Sequence, residues 1–224
     1  MRTAPTLLTA ALLLGIAAPA AAIDLSASVT GVTDYRYRGI SLSDRDPALQ
    51  ASVEAELPSG IFLGAWGSTI EEFGGADTEL DLYAGWGGEN GLLDYNASVV
   101  AYIYPGGDNV NYGEVQGEVG RSLGPARLAV KVAYAPDQKN TAGDNIYVSP
   151  ELTVGLPLTP LTFRLRGGWE DGFYDQKLDW EAGVDYALGP VTAFFSVVGT
   201  NYSGPAEAGN LGKTGVLVGA SLGF

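Results

Sequence analysis

The chain has 224 residues and a formal net charge of −14, with 12 Lys and Arg against 26 Asp and Glu. That balance excludes nucleic acid, whose phosphates select basic surfaces, and simple adsorption to anionic lipid. With no Cys and no His, disulfide stapling, Ser-His and Cys-His nucleophiles and ordinary zinc sites are excluded as well. No enzymatic activity, cofactor or metal centre is expected.

Met1 to Ala22 reads as a cleaved secretory signal. Arg2 opens it, Leu7 to Ala17 is a short apolar run, and Ala20-Ala21-Ala22 offers an A-x-A cleavage site. A membrane helix would need roughly 20 apolar residues, so residues 23–224 must reach any membrane through strands. From Asp24 the chain reads as twelve strand-like segments. The first, Asp24 to Gly39, sets Leu25, Ala27, Val29, Tyr35 and Tyr37 against Ser26, Ser28, Thr30, Asp34, Arg36 and Arg38. Ala48 to Leu57 follows, with Leu49, Val53 and Leu57 against Gln50, Glu54 and Glu56, and Pro58-Ser59-Gly60 turns the chain. Ile61 to Thr69 is uncharged and its parity is ambiguous. Thr78 to Gly87 sets Leu80, Leu82, Ala84 and Trp86 against Glu79, Asp81 and Tyr83, and Leu93 to Tyr104 sets Leu93, Ala97 and Val99 against Asp94, Asn96 and Ser98.

Val110 to Ser122 carries Val115 and Val119 against Glu114 and Glu118; Arg127 to Tyr134 carries Leu128, Val130 and Val132 against Arg127 and Lys131. In Asn145 to Leu156, opposite Glu151, Pro150 interrupts the apolar side and predicts a bulge or a local distortion, because proline has no ladder donor. Leu161 to Glu170 places Phe163, Leu165 and Trp169 against Arg164, Arg166 and Glu170. Leu178 to Leu188 places Trp180, Val184 and Tyr186 against Asp179, Glu181 and Asp185. The uncharged Val191 to Asn201 leads to the closing strand, Lys213 to Phe224, which alternates Val216, Val218, Ala220, Leu222 and the terminal Phe224.

Once the apolar residues set parity, nearly every charged strand residue falls on the other face; Arg121, at a strand end, is the exception. An apolar face repeated around about twelve strands is too much for a soluble sandwich core, and it is what a lipid-facing band around a polar lumen requires. Tight breaks at Pro58, Glu89, Gly124, Pro157 and Gly189 alternate with longer acidic ones. The fold expected is an all-β, transmembrane, antiparallel up-and-down barrel in the bacterial outer membrane, with both termini in the periplasm. Tyr35, Tyr37, Trp169 and Trp180 near one rim, and Trp86, Tyr95, Phe163 and Tyr186 near the other, are read as aromatic girdles. The terminal Phe224 resembles the strand signal that the barrel assembly machinery recognises.

The chemistry left to explain is that of the inner face. Arg36, Arg38, Lys131, Arg164 and Arg166 are expected to line a pore with the more numerous acids, Glu54, Glu114, Glu151, Glu181 and Asp185 among them. The register set by the turn at Pro157 to Pro160 places Arg166 across from Glu151 and Arg164 near Asp185. These pairs either neutralise one another or form an arginine-bearing constriction. A negative balance focused by low-dielectric walls favours cations. The expected partners are outer-membrane lipid and lipopolysaccharide, the assembly machinery and small polar solutes. A closed structural or adhesive barrel that binds a partner through its loops is the alternative. The acidic loops could share a divalent ion with lipopolysaccharide, although no EF-hand spacing occurs. Gly85 to Gly91 lacks the helix and Lys-Ser/Thr of a phosphate loop.

The first hairpin, VTDYRYRGISLSDRDPALQ from Val32 to Gln50, resembles the TorF family of proteobacterial porins. In that family an early strand reads Val-x-Ser-Asp-Tyr-x-x-Arg-Gly-x-Ser with Pro-x-x-Gln just after. Asp34, Tyr35, Arg38, Gly39, Ser41, Pro47 and Gln50 match, and Thr33 stands where Ser is usual. Chain length, the leading segment and the terminal Phe agree with the family. The resemblance implies an outer-membrane pore of unestablished substrate.

Overall fold

Alternation of apolar and polar residues with period two leaves each strand with one face for lipid and one for water. The computed structural model, which describes residues 23–141, 143–172, 176–202 and 210–224, closes those faces into a barrel. The expected signal segment lies outside the described residues, as does the loop carboxylate Asp175. The wall is made of β1 (Asp24–Val32), β4 (Ala48–Glu56), β5 (Ile61–Phe73), β6 (Ala76–Asn90), β7 (Leu93–Ile103) and β8 (Tyr112–Leu123), then β9 (Ala126–Ala135), β10 (Asn145–Gly155), β11 (Leu161–Gly172), β12 (Lys177–Leu188), β13 (Val191–Thr200) and β14 (Gly215–Gly223). Each strand pairs antiparallel with its sequence neighbour, and β1 closes the ring by pairing β4 on one side and β14 on the other. The remaining strands, β2 (Arg36–Tyr37) and β3 (Ile40–Ser41), form a separate small hairpin.

The barrel is inside-out relative to a soluble protein. Leu25, Leu49, Val99 and Leu165 are 67%, 59%, 58% and 53% exposed on the outer wall, whereas the largest fully buried side chains are Glu79, Glu170, Val198, Ser41 and Ser196. Soluble monomers rarely expose contiguous apolar patches beyond a few hundred Å². Here such residues ring the whole wall, and burying them requires hydrocarbon outside rather than a core inside. Phe62, Trp66 and Ser68 take the inner positions of β5, and Phe194, Ser196 and Val198 those of β13, which resolves the strands whose uncharged sequences left parity open.

Three expectations change. The first predicted strand stops at Val32 instead of Gly39; after a turn over Thr33–Tyr35 the chain folds inward. The break expected between Thr69 and Thr78 is not a loop. β5 and β6 extend through a register shift between Thr69 and Phe73 to a tight turn at Gly74-Gly75, both with positive φ (61° and 96°). At Pro150 the ladder with β9 runs on, and the one with β11 lapses between Val148↔Trp169 and Glu151↔Arg166 with no slip of register. The distortion is therefore a local loss of hydrogen bonds, which Ser149 partly offsets by donating from Oγ to the Gly167 carbonyl at 2.8 Å.

Candidate functional site

The chain from Thr33 to Pro47 connects β1 to β4 at the end of the barrel opposite the termini, and it folds into the lumen. Its tip is a turn, Tyr37-Arg38-Gly39-Ile40, with φ of 48° at Arg38 and 85° at Gly39. Positive φ at both central residues gives the twist that a two-residue hairpin needs. The base is tied by its own polar side chains. Ser41 Oγ donates to Asp34 at 2.6 Å, the Tyr35 N–H donates to Ser43 Oγ at 2.9 Å, and Arg36 Nε donates to Asp34 at 2.7 Å. Asp34, Ser41 and Ser43 are buried although all three belong to a loop.

Arg38 at the tip spans the lumen. One guanidinium nitrogen donates to both oxygens of Glu114 on β8 at 2.7 and 2.9 Å, and another donates to Glu170 on β11 at 2.5 Å. The guanidinium lies 4.7 Å from the Tyr37 ring centroid and 4.3 Å from that of Tyr147, a cation–π sandwich. Glu170 also meets Lys177 Nζ at 2.6 Å and accepts from Asn145 Nδ2 at 2.7 Å. Tyr102 donates to Glu114 at 3.1 Å, and the Tyr37 and Tyr102 hydroxyls are 3.0 Å apart. Burial works against the charge on Arg38, but the carboxylates of Glu114 and Glu170 hold its pKa well above the usual arginine value. The cation is permanent. Burial likewise pushes the Tyr35 and Tyr37 phenols up, so both remain neutral.

Toward the turn end the inner wall carries two further ion-pair groups. Arg127 bonds Asp94 and, at 2.6 Å, Glu118. Arg164 grips Asp185 at 2.8 and 3.1 Å and reaches Glu181 at 3.3 Å, as expected from register. Arg166 is registered with Glu151 on the backbone, but its side chain goes elsewhere, to Asp179 and the Tyr147 hydroxyl, each at 2.5 Å. That corrects the expected Arg166–Glu151 pair: Asp179 on β12 is buried and offers a closer carboxylate, while Glu151 accepts from Thr153 at 3.1 Å. Between the hairpin and these groups lies a cavity of about 320 Å³ that contains Lys131 and Asp81. Glu54 sits on the inner face of β4, opposite Gly64 in register.

The structure thus sorts the predicted residues into two tiers. Arg36 and Arg38 belong to the inner hairpin rather than to the strands of the wall, with Glu114 beside them; Arg164, Glu181 and Asp185 lie together below. Tyr35 and Tyr37 are not girdle residues. Tyr35 packs on Trp66 with centroids 5.3 Å apart, inside the barrel. Trp86, Phe163, Trp180 and Tyr186 do face outward. The motif residues Asp34, Tyr35, Arg38, Gly39 and Ser41 prove to be the in-folded segment itself, while Pro47 leads out of it and Gln50 reaches Ser68 at 3.4 Å. Glu170, expected on the inner face, meets Arg38 directly, whereas nothing local pointed to Tyr147, which stacks on the guanidinium, or to Lys177 and Tyr102, which hold Glu170 and Glu114. One signal was available: sixteen residues from Asp24 to Gly39 exceed the 9–11 or so that a tilted strand needs to cross a membrane. Among the described residues, no group of three or more Asp, Glu, His or Cys could hold a metal ion.

A family profile described as "Bacterial protein of unknown function (Gcw_chp)" matches residues 16–218. No curated protein matches the chain. Among solved structures the barrel is similar to the KdgM porin, at 8% identity over 89% of this chain and 99% of that one, with a TM-score of 0.64. It is also similar to the NanC porin, at 10% identity over 88% and 98% of the two chains, with a TM-score of 0.62. At these identities the likeness is one of fold.

Proposed function

The chain belongs to the Gcw_chp family, bacterial proteins of unknown function, and on that premise we propose that it is a passive outer-membrane channel for small polar solutes, narrowed by the β2–β3 hairpin. The observation that carries this reading is a closed wall, apolar outside and charged inside, with its own first loop crossing the lumen. The resemblance of that loop to the TorF porins and the shared fold of two porin structures support the same reading. Barrels of this size lie between small ones packed with side chains and wide porins. Under this reading the termini and tight turns face the periplasm, the outer wall meets lipid and lipopolysaccharide, and the protein is not an enzyme.

Charge bookkeeping sets the selectivity. Arg36, Arg38, Arg127, Arg164, Arg166 and Lys177 all pair with carboxylates, whereas four acids, Glu54, Glu79, Asp81 and Glu151, stand against Lys131 with no ion pair among the described residues. Planar-bilayer recording of the purified protein is expected to show small, cation-preferring steps, and a reversal potential of strong anion preference would overturn the reading. Arg166→Ala is expected to shift the reversal potential further toward the cation limit, because Asp179 then loses its partner and Glu181, 3.7 Å away, loses a neighbour. An unchanged potential would place Arg166 outside the conducting path. The closed-barrel alternative draws on the tightness of the Arg38 contacts, and silent bilayers with the unmodified protein would favour it.

Phe224 lies 73% exposed on the outer wall, and its backbone exchanges hydrogen bonds with Ala27 at 2.9 and 3.3 Å. Deleting it is expected to lower outer-membrane yield in cells and to leave the conductance of the inserted fraction unchanged. Full insertion of the truncated chain would remove Phe224 as the signal read by the assembly machinery.

A further inference from the structure

The cavity under the hairpin has a composition that the channel reading does not require. Tyr35 and Tyr37 roof it, Trp66 and Tyr83 stand on one side, and Asp81 and Lys131 face it from strands separated by β7 and β8. Its size, about 320 Å³, is at the small end of ligand sites, and its mix of aromatic faces with a few polar groups is typical of them. Asp81 Oδ1 is shut off from solvent with no hydrogen-bond partner. Lys131, unlike the arginines around it, makes neither an ion pair nor a side-chain hydrogen bond among the described residues. Glu79, two residues before Asp81 on the same inner face, is a further buried carboxyl on that side, 1% exposed.

Asp81 and Lys131 are ionisable groups of opposite kind, held apart and left without partners in a partly dry space, and such groups are costly, since a desolvated polar group loses its water without replacement. A cation alone would satisfy Asp81 and leave Lys131; an anion alone would do the reverse. We infer that the cavity is a binding site for a small zwitterion, an amino-acid-like solute whose ammonium meets Asp81 and whose carboxylate meets Lys131. The rings of Tyr35, Tyr37 and Trp66 cover its carbon skeleton and favour the ammonium end. This rests on the channel reading only in naming the solute class that would pause in the lumen.

Isothermal titration of the full-length barrel in detergent tests it with a matched set of probes: L-alanine, L-alaninamide without the carboxylate, lactate without the ammonium, and glucose. L-alanine is expected to bind about tenfold or more tighter than either single-charge probe, the worth of one charge-assisted hydrogen bond. Asp81→Asn is expected to erase its advantage over lactate, and Lys131→Met its advantage over L-alaninamide. Equal binding of a single-charge probe, preference for glucose, or no heat with any probe would each overturn the inference. The measurement needs no membrane. Selective binding with silent bilayers would remove the channel and keep the site, and conductance without selective binding would remove the site and keep the channel.

Discussion

Arg38→Met is expected to unseat the hairpin and raise single-channel conductance several-fold, the largest change any single residue here would cause. Methionine keeps an unbranched apolar stem but removes the guanidinium that lies between the Tyr37 and Tyr147 rings and holds Glu114 and Glu170. Removing one partner of a buried ion pair costs about 3–5 kcal/mol, because the remaining carboxylate stays desolvated. Glu170 keeps Lys177 and Asn145, so the greater penalty falls on Glu114, left with the phenols of Tyr102 and Tyr37 and the amide of Gln116. Relief comes if the hairpin swings out and water enters. Conductance histograms and thermal unfolding in detergent check both halves, and an unaltered conductance would mean that the hairpin is not the narrowest part of the path.

Gly39→Ala is expected to act on the same device through shape. A Cβ at Gly39 would come 2.8 Å from the Gly199 carbonyl and 2.9 Å from the Cβ atoms of Asp179 and Thr200, on a residue whose φ of 85° already disfavours any side chain. The left-handed backbone costs roughly 1–2 kcal/mol and overpacking typically about 1–3 kcal/mol more. Gly124→Ala is the control. Its φ is 63°, and nothing lies within 4 Å of the added carbon, so only the backbone cost applies. The expected result is a larger loss of thermal stability for Gly39→Ala, accompanied by wider conductance that the control lacks. Equal losses in the two variants would show that the tip does not press on the wall.

How much of this was legible follows from which forces each segment obeys. Strands such as Leu178 to Leu188 declare themselves because lipid and water act on alternate residues, and the tight turns at Gly60, Gly91, Gly124 and Gly189 because each needs positive φ. The Arg164–Asp185 pair could be read from register because the two lie on adjacent strands. The hairpin could not, since Tyr35 to Ser41 alternates as a strand would and its partners come from β8, β10, β11 and β12, far away in sequence. Nothing local distinguishes a tyrosine turned to lipid from one turned to a lumen. Arg166 escaped for a related reason: a long side chain on a barrel wall chooses among several carboxylates, and backbone register names only the nearest. Val191 to Asn201 lacked charges, so only its burial pattern fixed which side of Phe194 and Phe195 faced in.

The seam where β1 meets β14 also orders events in time. Ser28 pairs with Gly223 across nearly the whole length of the chain, and the base of the hairpin is fastened to the approach of the last strand. The Ser41 N–H bonds the Leu211 carbonyl at 3.1 Å, and Arg36 bonds the Lys213 carbonyl at 2.6 Å. None of those acceptors is in place until the final strand has been laid down, and the wall residues that hold Arg38 are themselves distant in sequence. Contacts of such separation form late, because loop closure must precede them. The first loop to be synthesised is thus the last piece to be seated. Closing the seam and seating the hairpin in the lumen become a single concluding step.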